Sequence, residues 1–231
     1  MKAYVITIAG DAQSEAGADV LRESSAAVGN EFDIETFDAI TPETVERDMA
    51  RLGIKWSYPW DQEVTRPELN LRLHPYTTVD PLSRVACFMS HYFLWDAVTA
   101  LRGPILIMED DAEFVAKMDP AVVLSTPHII IGINDPRGAT RKAQLFHDGV
   151  RGAHAPTVLD VPWVDDPEVP QGLAGASAYL MKPAGAWHAL NLVDRLGAWP
   201  NDALLCKQLV PGLGVTRTYY TRVQGTRSRL A

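Results

Sequence analysis

Glu109-Asp110-Asp111 places three carboxylates in a row directly after the apolar run Ile105–Met108. Like charges at the end of a buried strand repel one another and lose hydration, so the arrangement asks for a compensating cation. Mg²⁺ and Mn²⁺ suit it, since both take oxygen ligands, usually one or two carboxylates completed by phosphate oxygens and water. Alternate residues of an extended segment face the same way. Glu109 and Asp111 can therefore share one ion while Asp110 turns to a backbone or supporting role. An ion held there would neutralise a diphosphate leaving group, where negative charge grows in the transition state. The plainer reading of the same acids is a helix cap or a solvated turn.

Other residues with chemistry are more scattered. His91 is either a buried helix histidine bonded to a carbonyl or a donor to a phosphate oxygen. Ser90 sits near the apolar face of the same segment and has no base spaced to make it a nucleophile. Asp202 follows Pro200 where a helix begins. It is either a helix-start acid favoured by the dipole or the carboxylate that takes a proton from an acceptor hydroxyl. Asp165 and Asp166, in a proline-rich loop, are the rival pair. Trp56, Trp60, Trp163 and Trp199 lie in or near loops, where indoles pack the chain or stack on sugars and bases. Cys87 and Cys206 show no metal-like spacing and no disulfide framework, which fits buried thiols in a reducing compartment. No G-x-G-x-x-G or P-loop pattern is present, which disfavours a Rossmann dehydrogenase or a P-loop NTPase.

The elements that must position these groups alternate. Strands are expected over 3–8, 33–40, 104–108, 128–133, 176–181 and 214–220. Helices are expected from Ser14 to about 28, from Pro42 onward, from Asp80-Pro81 to Leu101 with Gly103 ending it, from Pro183 to about 196, and from Pro200 to about 210. Residues 55–80 and 134–157 read as long loops, which are often functional. This order predicts an α/β fold with a mainly parallel central sheet, right-handed crossovers and ligands beyond the strands' carboxyl ends.

Composition narrows the classes. The 231 residues, 47% apolar and 22% charged, are enough for a large core in one domain and exclude wholesale disorder. No apolar run approaches the ~20 residues that span a bilayer. The opening segment lacks the long apolar region and cleavage site of a secretory signal, so a cytoplasmic protein, soluble or peripheral to the membrane, is expected. The net charge of −8 is opposite in sign to that of a general phosphate-backbone binder. Arg217, Arg222, Arg227 and Arg229, beside Tyr219 and Tyr220, form a basic tail that leaves nucleic acid open as a partner.

The motifs also occur in a telling order. Ala86-Cys87-Phe88-Met89-Ser90-His91 is followed by Leu94-Trp95, then Glu109-Asp110-Asp111, then Gly175-Ala176-Ser177-Ala178-Tyr179-Leu180, then Pro200-Asn201-Asp202. The opening Tyr4–Ile8 and Phe37-Asp38-Ala39 join them. From about residue 3 to 210 the chain resembles glycosyltransferase family 25, which includes lipooligosaccharide galactosyltransferases of bacteria and collagen galactosyltransferase domains. The resemblance implies a GT-A-like fold over 1–231, with a nucleotide-sugar half to about 115 and an acceptor half from about 116. It also implies a UDP-sugar donor, Mn²⁺ or Mg²⁺, and inverting transfer of a hexose, galactose or glucose, to a hydroxyl of a glycan such as lipooligosaccharide. It assigns Glu109 and Asp111 to the metal; Ile8, Ser90, His91 and Glu109 to the donor; and Asp110 and Asp202 to catalysis, with Asp202 as base. Ala86 stands where the family has Gly, and Ala9-Gly10-Asp11 where it has N-L-D and then Arg. No histidine follows His188. The alternatives are transfer to a hydroxylated base of phage DNA, a phosphohydrolase or nucleotidyltransferase using the same acids, and a non-catalytic sugar-nucleotide-binding module.

Overall fold

Two buried runs of alternating residues set the architecture. On the strand β5 (Ile105–Glu109), Ile105 and Ile107 face one side and Leu106 and Met108 the other, and all four are buried. A strand buried on both faces needs cover on both. The computed structural model, which describes residues 1–139, 142–153 and 157–225, supplies it. On one face lie α2 (Pro42–Leu52), α3 (Pro81–Leu101) and α6 (Pro183–Leu196); on the other lie α1 (Ala12–Ala27) and the short α4 (Pro120–Leu124).

Among the described residues the central sheet has seven strands. β2 (Ile34–Asp38), β1 (Lys2–Thr7) and β5 run parallel. β9 (Ala178–Met181) runs antiparallel to both β5 and β7 (Ile130–Gly132). β10 (Leu213–Thr216) is parallel to β7, and β8 (Val158–Asp160) closes the edge antiparallel to β10. Five strands thus share one direction, and β9 and β8 run against them, within the α/β class that the alternation of elements predicts. Small pairs lie outside this sheet: β3 (Val64–Arg66) with β4 (Leu71–Leu73), and β6 (Ala112–Phe114) with β11 (Thr221–Val223).

Local chemistry fixes the helix ends near the acids. Asp11 caps α1 by accepting from the amides of Gln13 and Ser14, so Ser14 lies inside the helix rather than at its start, and its hydroxyl is released for another use. Asp80 caps α3 by accepting from the Ser83 amide, with Pro81 at the first helical position. Arg102 ends α3 in the left-handed conformation at φ 52°, the place expected for Gly103. The 55–80 stretch contains the β3–β4 hairpin, and the 134–157 stretch contains α5 (Ala143–Gly152). α7 (Asn201–Leu204) is a single turn, much shorter than a helix reaching 210. Arg227 and Arg229 lie outside the described residues, and Arg222 pairs with Glu113.

Candidate active site

The acids emerge at the carboxyl end of β5, next to the ends of β1 and β2. Strand parity decides what each one meets. Glu109 continues the Ile105–Ile107 side and so faces α3. There it meets His91, whose Nε2 is 3.1 Å from Glu109 Oε1. The His91 side chain is fully buried, while Glu109 keeps 26% exposure.

Asp110 turns the other way. Its carboxylate accepts from the Ser14 hydroxyl, which in turn accepts from the Ile8 amide at 2.8 Å. Asp110 therefore ties α1 and the end of β1 to the acid turn. The turn's backbone is held from the far end of the chain. Gln224 Nε2 donates to the carbonyls of Gly17, Asp110 and Ala112 at 2.9, 3.0 and 2.8 Å, and the Gln224 amide donates to Asp111 O at 2.7 Å. Gly17 lets α1 approach this closely, since a Cβ there would stand 2.5 Å from Asp110 O.

Asp111 is the unsatisfied member. Its Oδ1 is buried and, among the described residues, has no hydrogen-bond partner. Burial, then the charges of Glu109 and Asp110, push its carboxyl up to about 7, against the opposing pull of a hydrogen bond from Ser177. A buried carboxylate oxygen without a partner, beside a second carboxylate, is the donor set of a hard divalent cation. The residues present therefore fit Mn²⁺ or Mg²⁺ at Glu109 and Asp111.

Three cavities run in series through this region. The first, about 600 Å³, is lined by Ile8 and Ile6 from β1, Gly17 from α1, Ile40 and Thr41 beyond β2, and Cys87, Ser90 and His91 from α3, with the three acids at its floor. The second, about 320 Å³, shares Cys87, Glu109 and Asp111 with the first and adds Arg84, Tyr76, Ser177, Asn201 and Asp202. The third, about 560 Å³, shares Tyr76 and Asp202 with the second and adds Tyr58, His74, Phe146 and Gln171. The acids stand at one junction and Asp202 at the other.

Asp202 sits in α7, in the second and third cavities' common wall. Burial raises its carboxyl above the ordinary carboxylate range, opposed by the Arg84 charge and by backbone amides of Asp202 and Ala203. The Arg84 guanidinium lies 4.5 Å from the Tyr76 ring centroid. Gly172 is what admits α7 so close, because a Cβ there would fall 1.8 Å from Asp202 O.

The structure thus brings together Ile8, Ser90, His91, Glu109, Asp110 and Asp111 around one cavity, and places Asp202 one cavity away. Ser90 spends its hydroxyl on the backbone, accepting from the Ile40 amide at 2.9 Å and donating to Ala86 O at 3.0 Å. It shapes the β2–α2 turn. Asp165 pairs with Lys142 at 2.7 Å and Asp166 with Arg72 at 2.9 Å, so both rivals of Asp202 are engaged with cations. The four loop tryptophans line none of the three cavities. Trp56 and Trp60 stack on each other at 4.8 Å, Trp199 is buried, and Trp163 lies under Lys207. Tyr58 and Tyr76 take the aromatic positions instead. The sequence alone did not single out Arg84, Tyr76 or Gln224, and it marked Ser14 only as a helix start. Only Arg84 gives a local signal, a cation set among the apolar residues of α3.

No curated protein matches the chain. Among matching solved structures is the galactosyltransferase LgtC in complex with donor and acceptor sugar analogs. It is 11% identical with a TM-score of 0.44, the alignment covering 93% of this chain and 73% of that chain. The family comparison bears directly on the segment that carries the S-H and acid motifs: residues 21–126 match the model of glycosyltransferase family 25, described as an LPS biosynthesis protein, the family the motifs resemble.

Proposed function

We propose that the chain is a metal-dependent glycosyltransferase of GT-A type that moves a hexose from a UDP-sugar to a hydroxyl of a glycan acceptor, with inversion. The observation that carries this reading is the orphaned, buried Oδ1 of Asp111 beside Glu109, at the junction of the first two cavities. The first cavity, at the strands' carboxyl ends, is the expected place for a nucleotide. Its wall of Ile6, Ile8 and Ile40 is apolar where a base would lie, and its acidic floor suits a diphosphate only with a cation between them.

Glu109 and Asp111 would hold Mn²⁺ or Mg²⁺, which when bound supplies Lewis-acid stabilisation of the departing diphosphate. The remaining work falls to the chain's own groups. Asp110 anchors the acid turn through Ser14 and supports catalysis through position. Arg84 adds a fixed positive charge to the second cavity. Asp202, between the second and third cavities, takes the proton from the acceptor hydroxyl as the hydroxyl attacks the anomeric carbon from the side away from the diphosphate. The third cavity, walled by Tyr58, Tyr76 and Phe146 with polar groups from His74 and Gln171, suits a polyhydroxylated acceptor that needs both an apolar face and hydrogen-bonding edges. In this reading residues to about 115 serve the donor and later ones the acceptor.

Calorimetric titration of UDP-galactose and UDP-glucose, with and without Mn²⁺, tests the proposal. Mn²⁺ should be needed for tight donor binding, and Asp111→Asn should abolish that dependence. Donor binding indifferent to both would remove the metal from the reading. Hydrolysis of the donor at the same rate with and without any glycan acceptor would favour a phosphohydrolase instead.

A further inference from the structure

Behind Glu109, three fully buried side chains stand in a row. Trp95 Nε1 donates to Tyr179 Oη at 2.8 Å, Tyr179 Oη lies 2.8 Å from His91 Nδ1, and His91 Nε2 lies 3.1 Å from Glu109 Oε1. The His91 and Tyr179 rings are stacked, with centroids 5.7 Å apart and planes 16° from parallel. Topology makes the row. His91 and Trp95 are one helical turn apart on α3, and Tyr179 pairs across the sheet with Ile107, on the α3 side that Glu109 shares.

Each proton in the row has only one place to go. An indole N–H can only donate, so Tyr179 Oη accepts from Trp95. The hydroxyl then has its own proton to place. Among the described residues the one acceptor bonded to it is His91 Nδ1, and a buried hydroxyl proton with no acceptor is costly. Tyr179 therefore donates to Nδ1, the imidazole proton lies on Nε2, and Nε2–H donates to the Glu109 carboxylate. We infer that Trp95, Tyr179 and His91 form a one-way hydrogen-bond relay that locks His91 in its Nε2–H tautomer and fixes the Glu109 carboxylate for its cation. Tyr179 and Trp95 are positioning residues for a group they do not touch.

The polarity also chooses between two cation sites. A Cys87 sulfur, a His91 ring nitrogen and a Glu109 oxygen lie within 4.8 Å of one another, a mixed set of the kind Zn²⁺ favours. A protonated Nε2 has no lone pair to offer a metal. The relay thus withdraws His91 as a ligand and leaves the cation to the oxygens of Glu109 and Asp111. The cation's place rests on the function proposed above; the tautomer does not.

The tautomer is measured directly on metal-free protein carrying ¹⁵N-histidine, by two-bond ¹H–¹⁵N correlation, with the His91 signals identified by their loss in His91→Gln. Nε2 should be the protonated nitrogen and Nδ1 the bare one. A proton on Nδ1, alone or together with one on Nε2, overturns the relay. Tyr179→Phe removes only the hydroxyl. It should release the fixed tautomer and weaken Mn²⁺ binding by calorimetry about 10- to 100-fold, the usual effect of losing a group that orients a metal ligand. Wild-type Mn²⁺ affinity in Tyr179→Phe would refute the positioning role. His91→Gln keeps an N–H donor and should bind Mn²⁺ more tightly than His91→Leu, and equal loss in both would count against the donor bond. The nitrogen signals are read without metal, nucleotide or sugar, so their outcome is separate from whether the chain transfers a hexose.

Discussion

At the scale of single residues, the site is a set of carboxylates given different tasks by their surroundings. Asp110 is engaged with Ser14, Glu109 with His91, and Asp111 is left with a bare oxygen. That last state has a cost that can be measured. Burial and the neighbouring charges push the Asp111 carboxyl from the ordinary 3.8 up to about 7. Between those two values the native chain holds a proton that the unfolded chain has released, so metal-free stability should fall as pH rises from about 4 to about 7. Asp111→Asn removes the penalty. Its thermal midpoint should exceed the parent's at pH 7 and match it near pH 4, while the rise that Mn²⁺ gives the parent disappears. Asp202 makes a different prediction. In the role proposed above it works deprotonated, and burial has raised its carboxyl. The acidic limb of kcat/KM for transfer should therefore lie above the ordinary carboxylate range, and Asp202→Asn should lower kcat by about 10²- to 10⁴-fold with donor affinity retained. Steady-state profiles on the two proteins check both statements.

At the scale of elements, placement depends on close backbone approach. α7 is one turn long and contributes Asp202 only because Gly172 has no side chain to meet it. Gly172→Ala must push the Asp202 backbone away. A shift near 1 Å is enough to cost about 10²-fold in rate, with nucleotide and Mn²⁺ binding unaffected, because the first cavity does not contain Gly172. Comparing calorimetric donor binding with turnover separates the two effects. Elements also show how much the chain announced. The acid turn was legible because it sits at the carboxyl end of an apolar strand, whereas the S-H pair, in the middle of α3, stood out only through its likeness to the family motif. β9 was legible as a strand but not in direction, since its four residues are all buried and an apolar run reads the same both ways. Tyr179 and Gln224 escaped notice as working parts because their partners lie 84 to 207 residues away, and no local pattern records such a contact. The β3–β4 hairpin escaped for a different reason: its partners are local, but its strands are only three residues long and its proline-rich surroundings resemble a loop.

At the scale of the whole molecule, charge and the order of the cavities matter most. The net charge of −8 opposes association with a polyanion. The protein should pass through immobilised double-stranded DNA at low salt without retention, and salt-sensitive retention would instead revive a nucleic-acid acceptor. Among the described residues no helix is long and apolar enough to cross a membrane. The three cavities are neighbours with shared lining: an apolar one, a smaller middle one that includes Glu109, Asp111 and Asp202, and an aromatic one. Since the outer chambers share no lining residue among the described ones, each can be filled while the other stands empty. A single compound bearing a nucleotide at one end and a saccharide at the other, joined by a tether long enough to span the middle cavity, would face its second chamber at a local concentration of about millimolar. Such a tethered compound should grip the protein far more tightly than either fragment alone, and the best tether length would be a ruler for the distance between the two chambers.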